Sequence, residues 1–153
     1  MFDLQALVAE MRETIPLTRS LALDGLRYDG SELILTLPLA PNVNDKGCAF
    51  GGSMSCLTTL TGWGLLRLGL GEQQQPADLY IQDQQTQFLA PAWEQMYARC
   101  SWSEAEKAEF LANFKRRGKA RASVRISCSS DDIEVCTMQA RFVALRPGTA
   151  KAK

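Results

Sequence analysis

Between Met54 and Gly71 the chain carries a single charge, Arg67. The stretch MSCLTTLTGWGLLRLGLG has no polar face at helical spacing. It reads as a helix that is apolar nearly all round, and such a helix belongs in the middle of a protein. Its unbroken apolar runs fall short of the roughly 18–20 residues that a membrane span needs. Gly62 and Gly64 each cost about 1 kcal/mol of helix propensity. That cost makes sense where a sheet packs close against the helix backbone. The rest of the chain must therefore supply a layer that wraps this helix.

The flanking segments read as that layer. Leu4, Leu7, Val8 and Met11 fall at helical spacing, and Pro16 ends that first helix. Residues 21–28 and 32–37 read as two strands joined at Asp29-Gly30, a strong hairpin signal. Residues 38–50 form a loop rich in Pro, Asn, Asp and Gly. After the apolar helix come strands over 79–88 and 92–102. A capping box at Ser103-Glu-Ala-Glu106 opens a helix that runs to Phe114. Two further strands, 119–129 and 133–145, are joined by a turn at Ser129-Ser-Asp-Asp132. Antiparallel strands wrapped round one buried helix make an α+β architecture, the hot-dog fold. One domain over 1–146 is expected, with a frayed tail at 147–153. Such a sheet leaves an edge and an outer face uncovered. A monomer would leave an apolar outer face and an edge strand exposed, so a dimer at least is expected, with a tetramer possible and active sites near a subunit boundary.

Hydrophobic residues make up 46% of the 153 positions and charged residues 22%, enough for a core. Seventeen basic residues balance seventeen acidic ones, so net charge points to neither nucleic acid nor membrane. The amphipathic, acidic N-terminus lacks the basic start and apolar centre of a secretory leader, and a cytoplasmic location is expected. Cys48, Cys56, Cys100, Cys128 and Cys136 are odd in number and form no CxxC pair, which reads as reduced, buried thiols. The chain has no histidine. Catalytic units built on histidine and the common histidine metal ligands are therefore excluded. No metal and no cofactor is expected.

The window Pro41-Asn-Val-Asn-Asp-Lys-Gly-Cys-Ala-Phe-Gly-Gly-Ser53 carries the chemistry. A polar loop runs into two glycines at a helix start, where free N–H groups and the helix dipole favour negative charge. Gly51 and Gly52 let a ligand approach the backbone closely. The same residues are also compatible with simple turn chemistry.

Asn44-x-x-Gly47-x-x-Phe50-Gly51-Gly52 resembles the N-x-x-G-x-x-H-G-G signature of hot-dog acyl-CoA thioesterases. Asn44 to Ser53, with Gly62-Trp-Gly-Leu-Leu66 and Phe88-Leu-Ala-Pro-Ala92, resembles more closely the thioesterase-like YiiD-type C-terminal domain family, here in stand-alone form. That family includes malonyl-ACP decarboxylases. The resemblance covers roughly residues 15 to 146. It implies that Asn44 is the polar catalytic side chain and that the Gly51 and Gly52 amides hold the thioester oxygen. Asn42, Asp45, Phe50, Ser53 and Thr59 are the expected substrate-binding neighbours. Two departures matter. Phe50 stands where many thioesterases have histidine, and Thr59 stands where they have the acid that serves as base or nucleophile.

Those departures decide the expected reaction. Hydrolysis needs a positioned base. Decarboxylation of a malonyl thioester needs donors on the enolate oxygen and a poorly solvated carboxylate. Malonyl-ACP decarboxylation giving acetyl-ACP is therefore the first expectation. Hydrolysis of acyl-ACP or acyl-CoA is the alternative, and a non-catalytic carrier-binding or assembly module is the alternative of another class. Asp45, and more weakly Asp83, are the carboxylates available as a base. The basic run over 115–121, with Lys115, Arg116 and Arg117, is the candidate for CoA phosphates or an acidic carrier protein, although a solvated loop has the same composition. No aromatic residues interleave with it, so nucleic acid is not an expected partner. Gln82, Gln84, Gln85 and Gln87 make an unusually polar strand that faces a cavity or an interface.

Overall fold

The computed structural model describes residues 1–151. Helix α1 (Leu4–Thr14) starts at Asp3, whose side chain accepts the Ala6 N–H at 3.0 Å, and it buries Leu7, Val8 and Met11. A short helix α2 (Leu17–Ser20) leads into β1 (Asp24–Tyr28) and β2 (Glu32–Leu37). The 22-residue helix α3 (Gly51–Glu72) follows, and then β3 (Asp78–Phe88) and β4 (Met96–Ser101). Helix α4 (Glu104–Arg117) precedes the long hairpin of β5 (Lys119–Ser130) and β6 (Ile133–Leu145).

The six strands form one sheet in the order β1-β2-β4-β5-β6-β3, with every neighbour antiparallel. The sheet wraps α3, which touches β2 through β6. This is the hot-dog fold. Gly62 and Gly64, in the middle of α3, mark close approaches to the sheet. A Cβ at Gly62 would sit 2.9 Å from the Phe142 ring of β6, and one at Gly64 would sit 2.8 Å from Leu33 of β2. The propensity lost at these positions is thus exchanged for helix–sheet contact.

The sequence expectations differ from the structure in five places. The first strand begins at Asp24, because residues 17–20 turn helical and Ala22 adopts φ +55°. The strand expected over 92–102 is confined to Met96–Ser101. Lys115, Arg116 and Arg117 form the last turn of α4, which Gly118 ends at φ +66°, and are not a loop. Residues 147–151 are not frayed: the Gly148 N–H donates to Asp78 at 2.8 Å, and a 3-10 turn follows over Thr149–Lys151. Residues 152 and 153 lie outside the described residues.

The fifth difference is the outer face of the sheet, which is polar. Along β5 and β6 the buried residues Val124, Ile126, Cys128, Met138, Ala140 and Phe142 all face α3. Arg121, Ser123, Arg125, Gln139 and Arg141 alternate with them and face out. Arg125 pairs with Glu134 and Arg141 with Asp83, while Arg121 bonds Gln82. An apolar outer face therefore gives no ground for a tetramer.

The two sheet edges are also unlike. The β1 edge is five residues long and carries a bulge, and Leu4 and Val8 of α1 pack over its face at Gly25. The β3 edge is eleven residues long, and no element among the described residues pairs with its free side.

Candidate active site

The site grows from the loop before α3. Val43 and Ala49 form an isolated antiparallel bridge, and the Asn44 N–H donates to Cys48 O at 2.8 Å. Gly47, at φ +85°, makes the reversal and donates to Asn44 O at 3.1 Å. The Ala49 N–H donates to Ala92 O at 2.8 Å, and the Phe50 N–H to Asn42 O at 2.7 Å. The loop is thereby fixed against the segment after β3, and it delivers the chain into α3 at a set angle.

Phe50 occupies the N-cap and offers no side-chain acceptor. Helix starts of this kind usually carry Ser, Thr, Asp or Asn there. The Ser53 and Met54 N–H groups fold back onto Phe50 O at 3.0 and 3.2 Å. Among the described residues, the Gly51 and Gly52 N–H groups have no acceptor. They sit at the positive end of a 22-residue helix. Two aromatic rings flank them: a Cβ on Gly52 would strike the Phe50 ring, and one on Gly51 would lie 3.4 Å from the Phe88 ring. Both rings are more than half exposed, at 56% and 55%. The sequence reading missed Phe88 as a wall of the site. Its place at the end of a strand, before Leu-Ala-Pro-Ala, was the available signal.

Asn44 is half-buried on the same loop. Its Oδ1 accepts the Lys46 N–H at 2.8 Å, and its Nδ2 lies 3.2 Å from Cys48 Sγ, a weak acceptor. The carboxamide is thus oriented, with one of its two N–H groups uncommitted. Asn42 serves a different purpose. It is buried, and its Nδ2 donates to Leu21 O at 2.9 Å and Pro38 O at 2.8 Å. It ties the loop to the segments that flank the β1–β2 hairpin, and among the described residues its buried Oδ1 has no partner. Asp45 points into solvent and pairs with Lys46 at 2.8 Å. Adjacent turn residues diverge, so the carboxylate next to Asn44 is not brought to the helix start. Asp83 is held by Arg141 on the outer face. Ser53 is buried in the first turn of α3.

Thr59 lies two turns further along α3, with its Oγ1 3.8 Å from Met138 Sδ. It lines a largely apolar cleft of about 310 Å³ with Ile15, Leu17, Cys56, Leu60 and Gln84. Gln84 opposes buried Ala140 and so faces the α3 side, while Gln85 and Gln87 face out. Burial pushes the Cys56 thiol up, and pushes Cys100 and Cys128 up to about 12. These thiols are protonated at neutral pH and are poor nucleophiles. Among the described residues, no three His, Cys, Asp or Glu side chains gather as a metal site.

Lys115, Arg116 and Arg117 are not brought to the helix start. Lys119, Leu145 and Asp78 share one rung of the sheet, whereas Cys128, Cys136 and Phe88 share a rung at the other end. Gly51 sits at the Phe88 end. Nine ladder steps separate the two rungs, roughly 30 Å. Within one chain, the cations and the open N–H groups therefore lie at opposite ends.

The oriented Asn44 amide lies on the loop that runs into the two open N–H groups, at the start of a helix wrapped by a hot-dog sheet. The family model described as "Putative thioesterase (yiiD_Cterm)" matches residues 4–146, and the chain belongs to this family. Among solved structures, it is similar to a protein of unknown function from Chlorobaculum tepidum at 28% identity, with 93% of each chain covered and a TM-score of 0.88. It is also similar to a "putative thioesterase" from Shewanella oneidensis at 25% identity, covering 93% of this chain and 96% of that one, with a TM-score of 0.85. A thioesterase from Haemophilus influenzae shares the fold at 14% identity and a TM-score of 0.73, over 95% of this chain and 92% of that one. No helix among the described residues is long and apolar enough to cross a membrane.

Proposed function

We propose that this thioesterase-like chain decarboxylates malonyl-ACP to acetyl-ACP, as a cytoplasmic homodimer joined through the bare β3 edge. The observation that carries the reading is the uncapped start of α3: two unpartnered N–H groups between aromatic rings, with Asn44 on the adjoining loop. In the proposed step the bond between the α-carbon and the carboxylate carbon breaks, and CO₂ leaves. The electron pair collects on the thioester oxygen as an enolate. The Gly51 and Gly52 amides and the free Asn44 N–H stabilise that oxygen. The Phe50 and Phe88 rings displace water from the carboxylate and so raise its ground-state energy. A solvent proton then quenches the α-carbon, with the thioester intact. No base is needed to begin.

Thioester hydrolysis is the second reading, and the family description favours it. Against it stand Thr59 and the missing histidine, since neither supplies a base to activate water. A silent carrier-binding module is the third.

The deciding experiment incubates the protein with malonyl-ACP and follows the carrier by mass spectrometry. Acetyl-ACP with retained thioester is expected. Free carrier thiol and free acid, with no acetyl-ACP at any time, would overturn decarboxylation in favour of hydrolysis. No turnover of any acyl-ACP or acyl-CoA would leave the binding module. Light scattering is expected to give a dimer at micromolar concentration.

A further inference from the structure

Asn44 and Cys48 face each other across the tight turn that precedes α3. The Asn44 N–H donates to Cys48 O at 2.8 Å, and Gly47 at φ +85° makes the reversal between them. Their side chains meet as well. Asn44 Nδ2 lies 3.2 Å from Cys48 Sγ, and Sγ lies 3.5 Å from Asn44 Oδ1. A sulfur within reach of both atoms sits on the oxygen side of the nitrogen, so the N–H that it takes is the one beside Oδ1. The thiol hydrogen can be returned to Oδ1, because a thiol is both a weak donor and a weak acceptor. Oδ1 also accepts the Lys46 N–H at 2.8 Å. The oxygen of this carboxamide thus collects two donors, while its nitrogen keeps one N–H uncommitted. Cys48 is buried, and among the described residues its thiol bonds nothing except Asn44.

We infer that Cys48 is a positioning residue: its thiol holds the near side of the Asn44 amide and polarises it, so that the far N–H is presented as a stronger donor to the thioester oxygen. This rests on Asn44 bonding that oxygen, as in the function proposed above, and it holds for decarboxylation and hydrolysis alike.

Two effects act together. Donors on an amide oxygen draw electron density from the nitrogen and strengthen the hydrogen bonds that its N–H groups make. Orientation matters as much. An amide free to turn would present its oxygen to the substrate for part of the time, and a developing oxyanion is repelled by that oxygen. The benefit falls where negative charge gathers on the thioester oxygen, which is the transition state, and little of it falls on the bound substrate. Cys48 accordingly acts on kcat and not on KM. The turn itself does not depend on the thiol. Its backbone is closed by the Asn44 and Gly47 N–H bonds and by the bridge between Val43 and Ala49.

The test reads the amide and the reaction side by side in the full chain. The sequence holds three asparagines, Asn42, Asn44 and Asn113. Selective ¹⁵N labelling of asparagine therefore gives three carboxamide signals in NMR, each with two N–H protons, and loss of one set in Asn44→Ala assigns it. In Cys48→Ala one proton of the Asn44 pair is expected to shift, while the Asn42 and Asn113 pairs stay in place. Turnover of malonyl-ACP is followed in the same variants. Cys48→Ala is expected to lower kcat about tenfold with KM unchanged, less than the loss of about 10²–10³-fold from removing the donor in Asn44→Ala. Cys48→Ser returns a hydroxyl that both donates and accepts, and it is expected to restore kcat to within about twofold. Cys48→Val fills the space without a donor and is expected to behave as Cys48→Ala. An Asn44 pair that does not move in Cys48→Ala, or a kcat that does not fall, would overturn the inference. Equal losses in Cys48→Ser and Cys48→Val, with KM raised, would mark a packing role alone and overturn it too. In each of those cases a loss of turnover in Asn44→Ala keeps the role of Asn44 standing. Full turnover in Asn44→Ala would instead remove the amide from the reaction, and Cys48 with it.

Discussion

The two ends of α3 are finished in opposite ways. At the C-terminal end the charged groups are bound, and among the described residues only the buried Trp102 indole N–H lacks an acceptor there. Glu72 accepts the Tyr28 hydroxyl at 2.5 Å and the Lys107 ammonium at 2.7 Å, and Lys107 also donates to Gly30 O at 2.9 Å. One turn back, Arg67 forms a two-pronged pair with Glu10, both bonds at 2.9 Å, and lies 4.2 Å over the Phe2 ring. Trp102 packs against Gly69 from the strand side. At the N-terminal end the cap is missing, two N–H groups are open, and the nearest side chains are exposed aromatics. One helix thus anchors the fold at one end and presents unpaired donors at the other. Such donors are a deficit for stability and a resource for binding.

Substitutions at the two ends should separate these roles. Trp102→Ala empties the packed end and is expected to cost about 3–5 kcal/mol in denaturant unfolding. Turnover per folded molecule should stay unchanged. Asn44→Ala is expected to do the reverse, with turnover falling by about 10²–10³-fold and an unaltered melting curve. Unchanged turnover would remove Asn44 from the mechanism. Lys107→Ala strands Glu72 and the Gly30 carbonyl and is expected to lower stability by about 1–3 kcal/mol.

Phe50→Ser makes the sharpest comparison, because it supplies the absent cap. Stability should rise by about 1 kcal/mol, while turnover falls as the new hydroxyl takes up an open N–H. A variant that gains stability and keeps full turnover would show that those N–H groups are not used. The smallest effect is that of acid. Asp29 accepts from the Ser31 and Glu32 N–H groups, which hold its carboxyl well below the usual range. Glu106, bonded to Ser103, is lowered as well. Groups with depressed values contribute stability above their unfolded values, near pH 4, and lose it as pH falls further. A shallow loss of melting temperature below about pH 4 is expected, with no matching loss between pH 6 and 8.

Most of the fold was legible because its signals are local. The apolar stretch with its single charge marked α3, Asp29-Gly30 the first hairpin, and the Ser103–Glu106 box the start of α4. The loop and helix start of the site were legible for the same reason. The polar outer face was legible in the alternation of Arg121, Ser123, Arg125, Gln139 and Arg141 with apolar residues, and the expectation of an apolar face passed over that period-2 pattern. The roles within the window were closed to sequence. Asn42 and Asn44 are two positions apart, yet one is a buried tie and the other an oriented donor. The placement of the cations depends on strand order, in which β3 lies beside β6 rather than β4.

That strand order also governs how the chain assembles during synthesis. β3 has a single neighbour, and that neighbour is the last strand to be made: Phe88 waits for Cys136, and Asp78 for Leu145. Until β6 emerges from the ribosome, the strand that lies beside the Gly51 site has no partner within its own chain. Its unpaired backbone is then open to strands of other nascent chains. Closure of β6 is thus a late, long-range event. A chain truncated before Ile133 would lose more than its final strand, because it would leave β3 detached and the α3 start without its Phe88 wall.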